Sequence, residues 1–185
     1  MNHPLILLNW LKAGFGLHTS ARVVLAGLLM LGGQLVLPAG YMPAAYGQEA
    51  SAIGLTSYPD GKPVQLGQLK GKLVVANFWA PWCVPCRREF PEFQKLSDKY
   101  GAKGLAVVAI TAEENPKKIA KFIEATGAKL TVWQDVTSTL HEKMKVSVMP
   151  TTLLLDRQGN LIGTYQGFDA GAGLAALEQD IVKHL

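Results

Sequence analysis

The sequence predicts an α/β domain: a mixed β-sheet with helices on both faces. Three observations lead there. Residues 73–79 (LVVANFW) and 105–110 (LAVVAI) are nearly continuous apolar runs, as expected of strands covered on both faces. The stretches after each run carry helical spacing and helix-cap residues. The final third reads as strand, turn, strand and then helix. Strand, helix, strand, helix, strand, hairpin and helix in that order fit a mixed sheet rather than a bundle or a sandwich.

Taken in order, Asp60-Gly61 is a tight-turn pair between residues 55–58 and 63–66, so an N-terminal hairpin is predicted. The run at 73–79 is the central strand. A helix is expected over 83–99, ending at Tyr100-Gly101, with Phe90, Phe93 and Leu96 on one face and Pro91 as a kink site. Residues 105–110 form the second buried strand. Asn115-Pro116 then supplies an N-cap and a first-turn proline to a helix ending near Gly127. A short strand at 130–133 and a helix at 135–143 come next, with His141 expected on the surface of that helix. Residues 151–155 and 161–165 form a hairpin around Asp156–Asn160, and Leu174, Leu177, Ile181 and Leu185 mark the apolar face of a terminal helix.

The chain has 185 residues, 49% of them hydrophobic and 17% charged, which excludes a disordered, collagen-like or coiled-coil protein. Its net charge of +4 is unevenly placed: Lys12 and Arg22 precede every acidic residue, the first of which is Glu49. The remainder of the chain carries no basic stripe with interleaved aromatics, so no nucleic-acid partner is expected.

Residues 23–37 (VVLAGLLMLGGQLVL) carry no charge, come after the two cations and precede small residues and proline, which is the layout of a signal peptide. Ala45-Tyr46-Gly47 offers the small residues suited to cleavage after Gly47. The alternative is an uncleaved membrane anchor through residues 22–41, a stretch that just reaches the roughly 20 residues a spanning helix needs. Either way, cations on the amino-terminal side place the carboxyl-terminal domain across the membrane. The expected organisation is therefore 1–47 as signal peptide or N-terminal anchor, and 48–185 as the folded domain.

The chain has two cysteines, in Trp82-Cys83-Val84-Pro85-Cys86, directly after the central strand and at the start of a helix. At a helix N-terminus, unpaired N–H groups and the helix dipole stabilise a thiolate, which marks Cys83 as the nucleophile. The sulfur of Cys86 can meet it at the first turn and resolve the product. A purely structural bridge closing so short a loop restrains little chain entropy. A zinc site needs two further ligands, and after residue 47 the histidines are His141 and His184, at a spacing that fits no knuckle, so no metal site is expected.

The stretch 77–89 (NFWAPWCVPCRRE) resembles the active-site region of thioredoxin-like proteins, and more narrowly the TlpA and ResA group. The resemblance extends over roughly residues 52–183, through Asp60-Gly61-Lys62, Leu69-Lys70-Gly71-Lys72, Met149-Pro150-Thr151-Thr152 and residues 156–159. It implies a thioredoxin-like fold with an N-terminal hairpin and a central insertion around 113–134. It implies a redox-active Cys83–Cys86 disulfide, a cis-proline at Pro150 facing it, and substrate contact through Trp82, Met149 and Pro150. Thioredoxin itself has a buried Asp on the central strand, where this chain has Asn77, which cannot ionise. Glu89, three residues after Cys86, is an acid the TlpA and ResA relatives share and is the expected proton acceptor for Cys86.

The activity implied is thiol-disulfide exchange without a bound cofactor, reducing cysteine pairs of extracytoplasmic proteins such as haem-attachment or copper-site proteins. A membrane electron-donor protein would re-reduce the dithiol, and the location implied is the periplasm or the outer face of a bacterial cytoplasmic membrane. Two alternatives stay open: a disulfide oxidase or isomerase, and a copper(I) metallochaperone using the two thiolates. A thiol peroxidase is excluded by the lack of a peroxidatic Pro-Thr-Cys loop.

Overall fold

The computed structural model describes residues 49–185. The expected targeting segment at 1–47, its membrane-spanning stretch and its cleavage site lie outside the described residues.

Seven strands, β1 (Leu55–Tyr58), β2 (Pro63–Val64), β3 (Leu73–Phe78), β4 (Leu105–Thr111), β5 (Thr131–Gln134), β6 (Thr151–Leu155) and β7 (Leu161–Gln166), form one sheet in the order β2-β1-β5-β4-β3-β6-β7. The first two, β1 (Leu55–Tyr58) and β2 (Pro63–Val64), are the N-terminal hairpin, closed by the Gly61 N–H donating to the Ser57 carbonyl at 2.8 Å, with Gly61 at φ 64. A positive φ there is what the turn takes glycine for. The second strand stops sooner than the sequence suggests: Leu66 is not in it but opens a 3-10 turn, Leu66–Leu69, and is buried. The apolar side chain that looked like a strand residue is instead buried from that turn.

β3 (Leu73–Phe78) is buried along its whole length and central, parallel to β4 (Leu105–Thr111) and antiparallel to β6 (Thr151–Leu155). Because strand side chains alternate, Val74, Ala76 and Phe78 join one core while Leu73 and Val75 join the other. Asn77 belongs by parity to the second face. That face is covered by α1 (Val84–Tyr100), α2 (Pro116–Thr126) and the terminal α4 (Ala172–His184), through Phe93 and Leu96, Ile119 and Phe122, and Leu177 and Ile181. The opposite face is covered by α3 (Thr139–Lys143), through Leu140, and by the 3-10 turn, through Leu66.

The helix boundaries are set by local chemistry. Cys83 is the N-cap of α1, with proline in its first turn, and Pro91 lies inside the helix. Asn115 caps α2 by accepting from the Lys117 N–H at 3.0 Å, and Gly127 ends it in the left-handed conformation. This helix and β5 (Thr131–Gln134) are the expected central insertion, and β5 carries the hairpin into the sheet by pairing antiparallel with β1.

The helix expected over 135–143 is confined to five residues, and His141 is buried rather than on the surface. Asp135 is the cause of both departures. Its buried carboxylate accepts from the His141 N–H at 2.9 Å and meets the His141 ring Nδ1 at 2.7 Å, so the side chain ties a turn together instead of joining a helix. The His141 ring also stands edge-on to Phe78, with centroids 4.8 Å apart. The last hairpin, β6 with β7 (Leu161–Gln166), is antiparallel as expected, with a register irregularity near Leu155.

Candidate active site

The site lies where the chain leaves β3 and enters α1. β3 ends at Phe78, Trp79 comes next, and its N–H donates to the Ile110 carbonyl of β4 at 3.0 Å. The Cys83 N–H donates to the Ala80 carbonyl at 3.0 Å, which turns the chain into the helix. The loop carrying the first cysteine is thus hydrogen-bonded to the end of an interior strand on one side and closed onto the helix start on the other.

Cys83 and Cys86 are joined in a disulfide, their Cα atoms 5.4 Å apart. Both are buried, and the Cys86 N–H donates to the Cys83 sulfur at 3.2 Å. The N-cap position of the first sulfur puts it where a thiolate would receive an otherwise orphaned helix N–H. The pair packs in an apolar cluster with Trp79 and Phe90, and Trp79 stacks on Phe122 with centroids 4.3 Å apart. By contrast Trp82, one residue before Cys83, is 73% exposed.

Glu89 sits one helical turn beyond Cys86 and is only 3% exposed. Its carboxyl accepts from the Asn77 side-chain amide at 2.8 Å, and the Thr152 hydroxyl lies 3.5 Å from its other oxygen. The same Asn77 amide donates to the Thr152 hydroxyl at 3.1 Å. Sheet register produces this triangle, because Asn77 and Thr152 are direct partners across β3 and β6. Burial pushes the Glu89 carboxyl up to about 8, against the opposing pull of the Asn77 and Thr152 hydrogen bonds. Glu89 also lines a cavity of about 190 Å³ with Phe93, Thr152, Tyr165 and Leu177.

Met149 and Pro150 reach the same end of the sheet from the other side, since β6 begins at Thr151 opposite Phe78. The Met149–Pro150 peptide is cis, as the resemblance implies. The Pro150 carbonyl accepts from the Gly167 N–H at 2.8 Å, while Met149 is half-buried and packs against the cluster that holds both cysteines. Cys83, Cys86, Glu89, Met149 and Pro150 are therefore gathered at one end of the sheet, with Trp82 beside them on the surface.

Sequence reasoning missed Thr152, whose signal was its register position: two strands of the same sheet, one bringing an amide and the other a hydroxyl to one carboxyl. It also missed the Asp135–His141 pair. No group of three or more His, Cys, Asp or Glu side chains suited to a metal ion occurs among the described residues.

The Redoxin family model matches residues 45–181. Thiol-disulfide oxidoreductase ResA of Bacillus thuringiensis (strain Al Hakam) is 34% identical over 116 residues, covering 63% of this chain and 66% of that protein. The chain thus spans just under two thirds of the length of that relative. ResA of Bacillus thuringiensis subsp. konkukian is 33% identical over 121 residues, covering 65% of this chain and 69% of that protein. Among solved structures, the thiol:disulfide interchange protein DsbE of Chlorobium tepidum has a TM-score of 0.67 at 35% identity, over 73% of this chain and 94% of that one. StoA of Bacillus subtilis, at 24% identity and a TM-score of 0.58 over 74% of this chain and 98% of that one, shares the fold. With a thioredoxin-like sheet, a paired dithiol at a helix N-terminus and these relatives, the chain belongs to the Redoxin family, among the ResA-type thiol-disulfide oxidoreductases.

Proposed function

We propose that the chain reduces disulfides of extracytoplasmic proteins through the Cys83–Cys86 dithiol. The observation that carries this reading is the buried Glu89 carboxyl one turn beyond Cys86, beside a cysteine pair that is itself buried. The Cys83 thiolate attacks a substrate sulfur, forming a mixed disulfide and releasing the substrate's first thiolate. Cys86 then attacks the Cys83 sulfur, its proton passes to Glu89, and the second substrate thiolate leaves. A carboxyl with its pKa near 8 is matched to a thiol, and the fraction of it that is ionised at neutral pH accepts the Cys86 proton at little cost.

The direction is set by the same surroundings. A strong oxidant owes its power to a stabilised thiolate in the reduced form. Here the helix N-terminus favours the Cys83 thiolate, but burial disfavours negative charge on the pair. This balance supports a reductant over the oxidase or isomerase reading. Trp82, Met149 and Pro150 form the rim that meets the substrate chain.

The names of the ResA and DsbE relatives describe thiol-disulfide oxidoreductase and interchange activity. The layout of residues 1–47 supports an exported domain, delivered across a bacterial cytoplasmic membrane by a cleaved signal or held at its outer face by an anchor. A membrane electron-donor protein would return the dithiol to its reduced form, and cysteine pairs of haem-attachment or copper-site proteins are the proposed substrates.

The test is trapping in the native host. Cys86→Ser should accumulate mixed disulfides through Cys83, visible as reducible high-mass species, and Cys83→Ser should accumulate none. Absence of trapped species from the Cys86→Ser protein would remove the exchange reading.

A further inference from the structure

The surface beside the dithiol is electrostatically lopsided. Arg87 and Arg88 are neighbours on α1, yet they line different grooves. On the Arg88 side the groove includes the carboxylates of Glu92 and Asp169. On the Arg87 side a groove of about 290 Å³ is lined by Trp82, Phe122, Glu113, Lys118 and Lys121. Phe122 is buried and stacked on Trp79, and the exposed Trp82 indole is adjacent in sequence to Cys83.

The one carboxylate in this second groove is already engaged. Glu113 pairs with Lys118 at 3.3 Å, and its other oxygen accepts from the Asn115 N–H at 3.0 Å. The Arg87 guanidinium lies 5.8 Å over the Phe122 ring. Neither Arg87 nor Lys121 has a carboxylate partner among the described residues. Two cations without carboxylate partners therefore line a groove that also holds Phe122 and Trp82, the residue before Cys83.

We propose that this groove docks an extended substrate segment carrying acidic side chains next to its disulfide, with an apolar side chain set against Trp82 and Phe122. The proposal rests on the thiol-exchange reading and gives its substrates a chemical class. Once a substrate sulfur is within bonding distance of Cys83, the flanking residues lie within roughly a Debye length of these cations, about 8 Å at physiological salt. Acidic flanks are then attracted and basic flanks repelled, which selects partners mainly through the association rate. The insertion helix α2 supplies Lys118, Lys121 and Phe122, while Trp82 and Arg87 come from the dithiol loop and α1.

The test uses the reduced full-length chain in detergent and three cyclic disulfide peptides of equal length. Their cysteines are flanked by Asp and Glu, by Ser and Asn, or by Lys. Single-turnover rate constants are measured at low salt and at 1 M salt. The expected order is acidic, neutral, basic, with about tenfold between the extremes at low salt, shrinking to about twofold at 1 M as the Debye length falls to about 3 Å. The double variant Arg87→Glu with Lys121→Glu should reverse the order. Equal rates for the three peptides, or an order that survives both high salt and charge reversal, would overturn the docking proposal while leaving exchange intact. If the reduced chain reacts with none of the peptides, the exchange reading falls and takes this proposal with it.

Discussion

Glu89 links stability to chemistry at a single carboxyl. In the folded protein it titrates near 8, above the ordinary 4.5, because it is buried. Below about pH 4.5 folded and unfolded chains both hold the proton, and the contribution to stability is complete. Between 4.5 and 8 the unfolded chain releases a proton that the folded chain keeps, so stability falls as pH rises, by about 1.4 kcal/mol per unit. Glu89→Gln should therefore raise the unfolding free energy of the oxidised protein, read by denaturant titration, by a few kcal/mol at pH 8 to 9 and leave it level at pH 4. A difference independent of pH would contradict the burial account. The same substitution should slow resolution of the mixed disulfide on the order of a hundredfold at pH 7 and erase the inflection near pH 8 in its rate profile. Asp135 behaves in the opposite sense. Burial pushes its carboxyl up, but hydrogen bonds from the His141 ring and from the His141 and Leu140 N–H groups outweigh that and hold it below 3.8. Its contribution is present above 3.8 and lost as pH falls below it. Asp135→Ala, which leaves a buried ring nitrogen and a backbone N–H without partners, should cost on the order of 3 kcal/mol in denaturant unfolding at pH 7.

At the scale of elements, legibility tracked how local the determining signal was. The dithiol helix, the Asn115 cap, the Gly127 stop and the two buried strands were readable because caps, glycines and apolar runs act within a few residues. The 135–143 region was not, because a side chain folding back onto the His141 backbone overrode the helical pattern there. Leu66 misled for the converse reason: its burial comes from a 3-10 turn, not from a strand. The dithiol and Glu89 were legible from spacing and from family resemblance, whereas Thr152 needed the register between β3 and β6, which a single strand does not reveal. The cap of the insertion helix gives a check at this scale. Asn115→Ala should cost about 1 kcal/mol of stability and Asn115→Gly only a few tenths, measured by denaturant titration. No loss in the Asn115→Ala variant would show that the side-chain oxygen is not the cap.

For the molecule as a whole, the mixed sheet brings two kinds of connection to one end. β3 delivers the cysteines on α1, and β6 begins there with Met149 and Pro150 just before it. The hairpin and the insertion add an outer flank through β5 and α2, placing Lys118 and Lys121 beside the site without altering the central strands. An apolar site of this kind, with a protonated carboxyl in place of a buried cation, should give a dithiol that is oxidised readily and reduced with difficulty. The direct measurement is the reduction potential of the Cys83–Cys86 pair, equilibrated in defined thiol buffers at pH 7 and read by thiol trapping. A reductant with this site should show a value near or below that of thioredoxin, about −270 mV, and a value near −120 mV, that of a strong periplasmic oxidant, would contradict a reducing role.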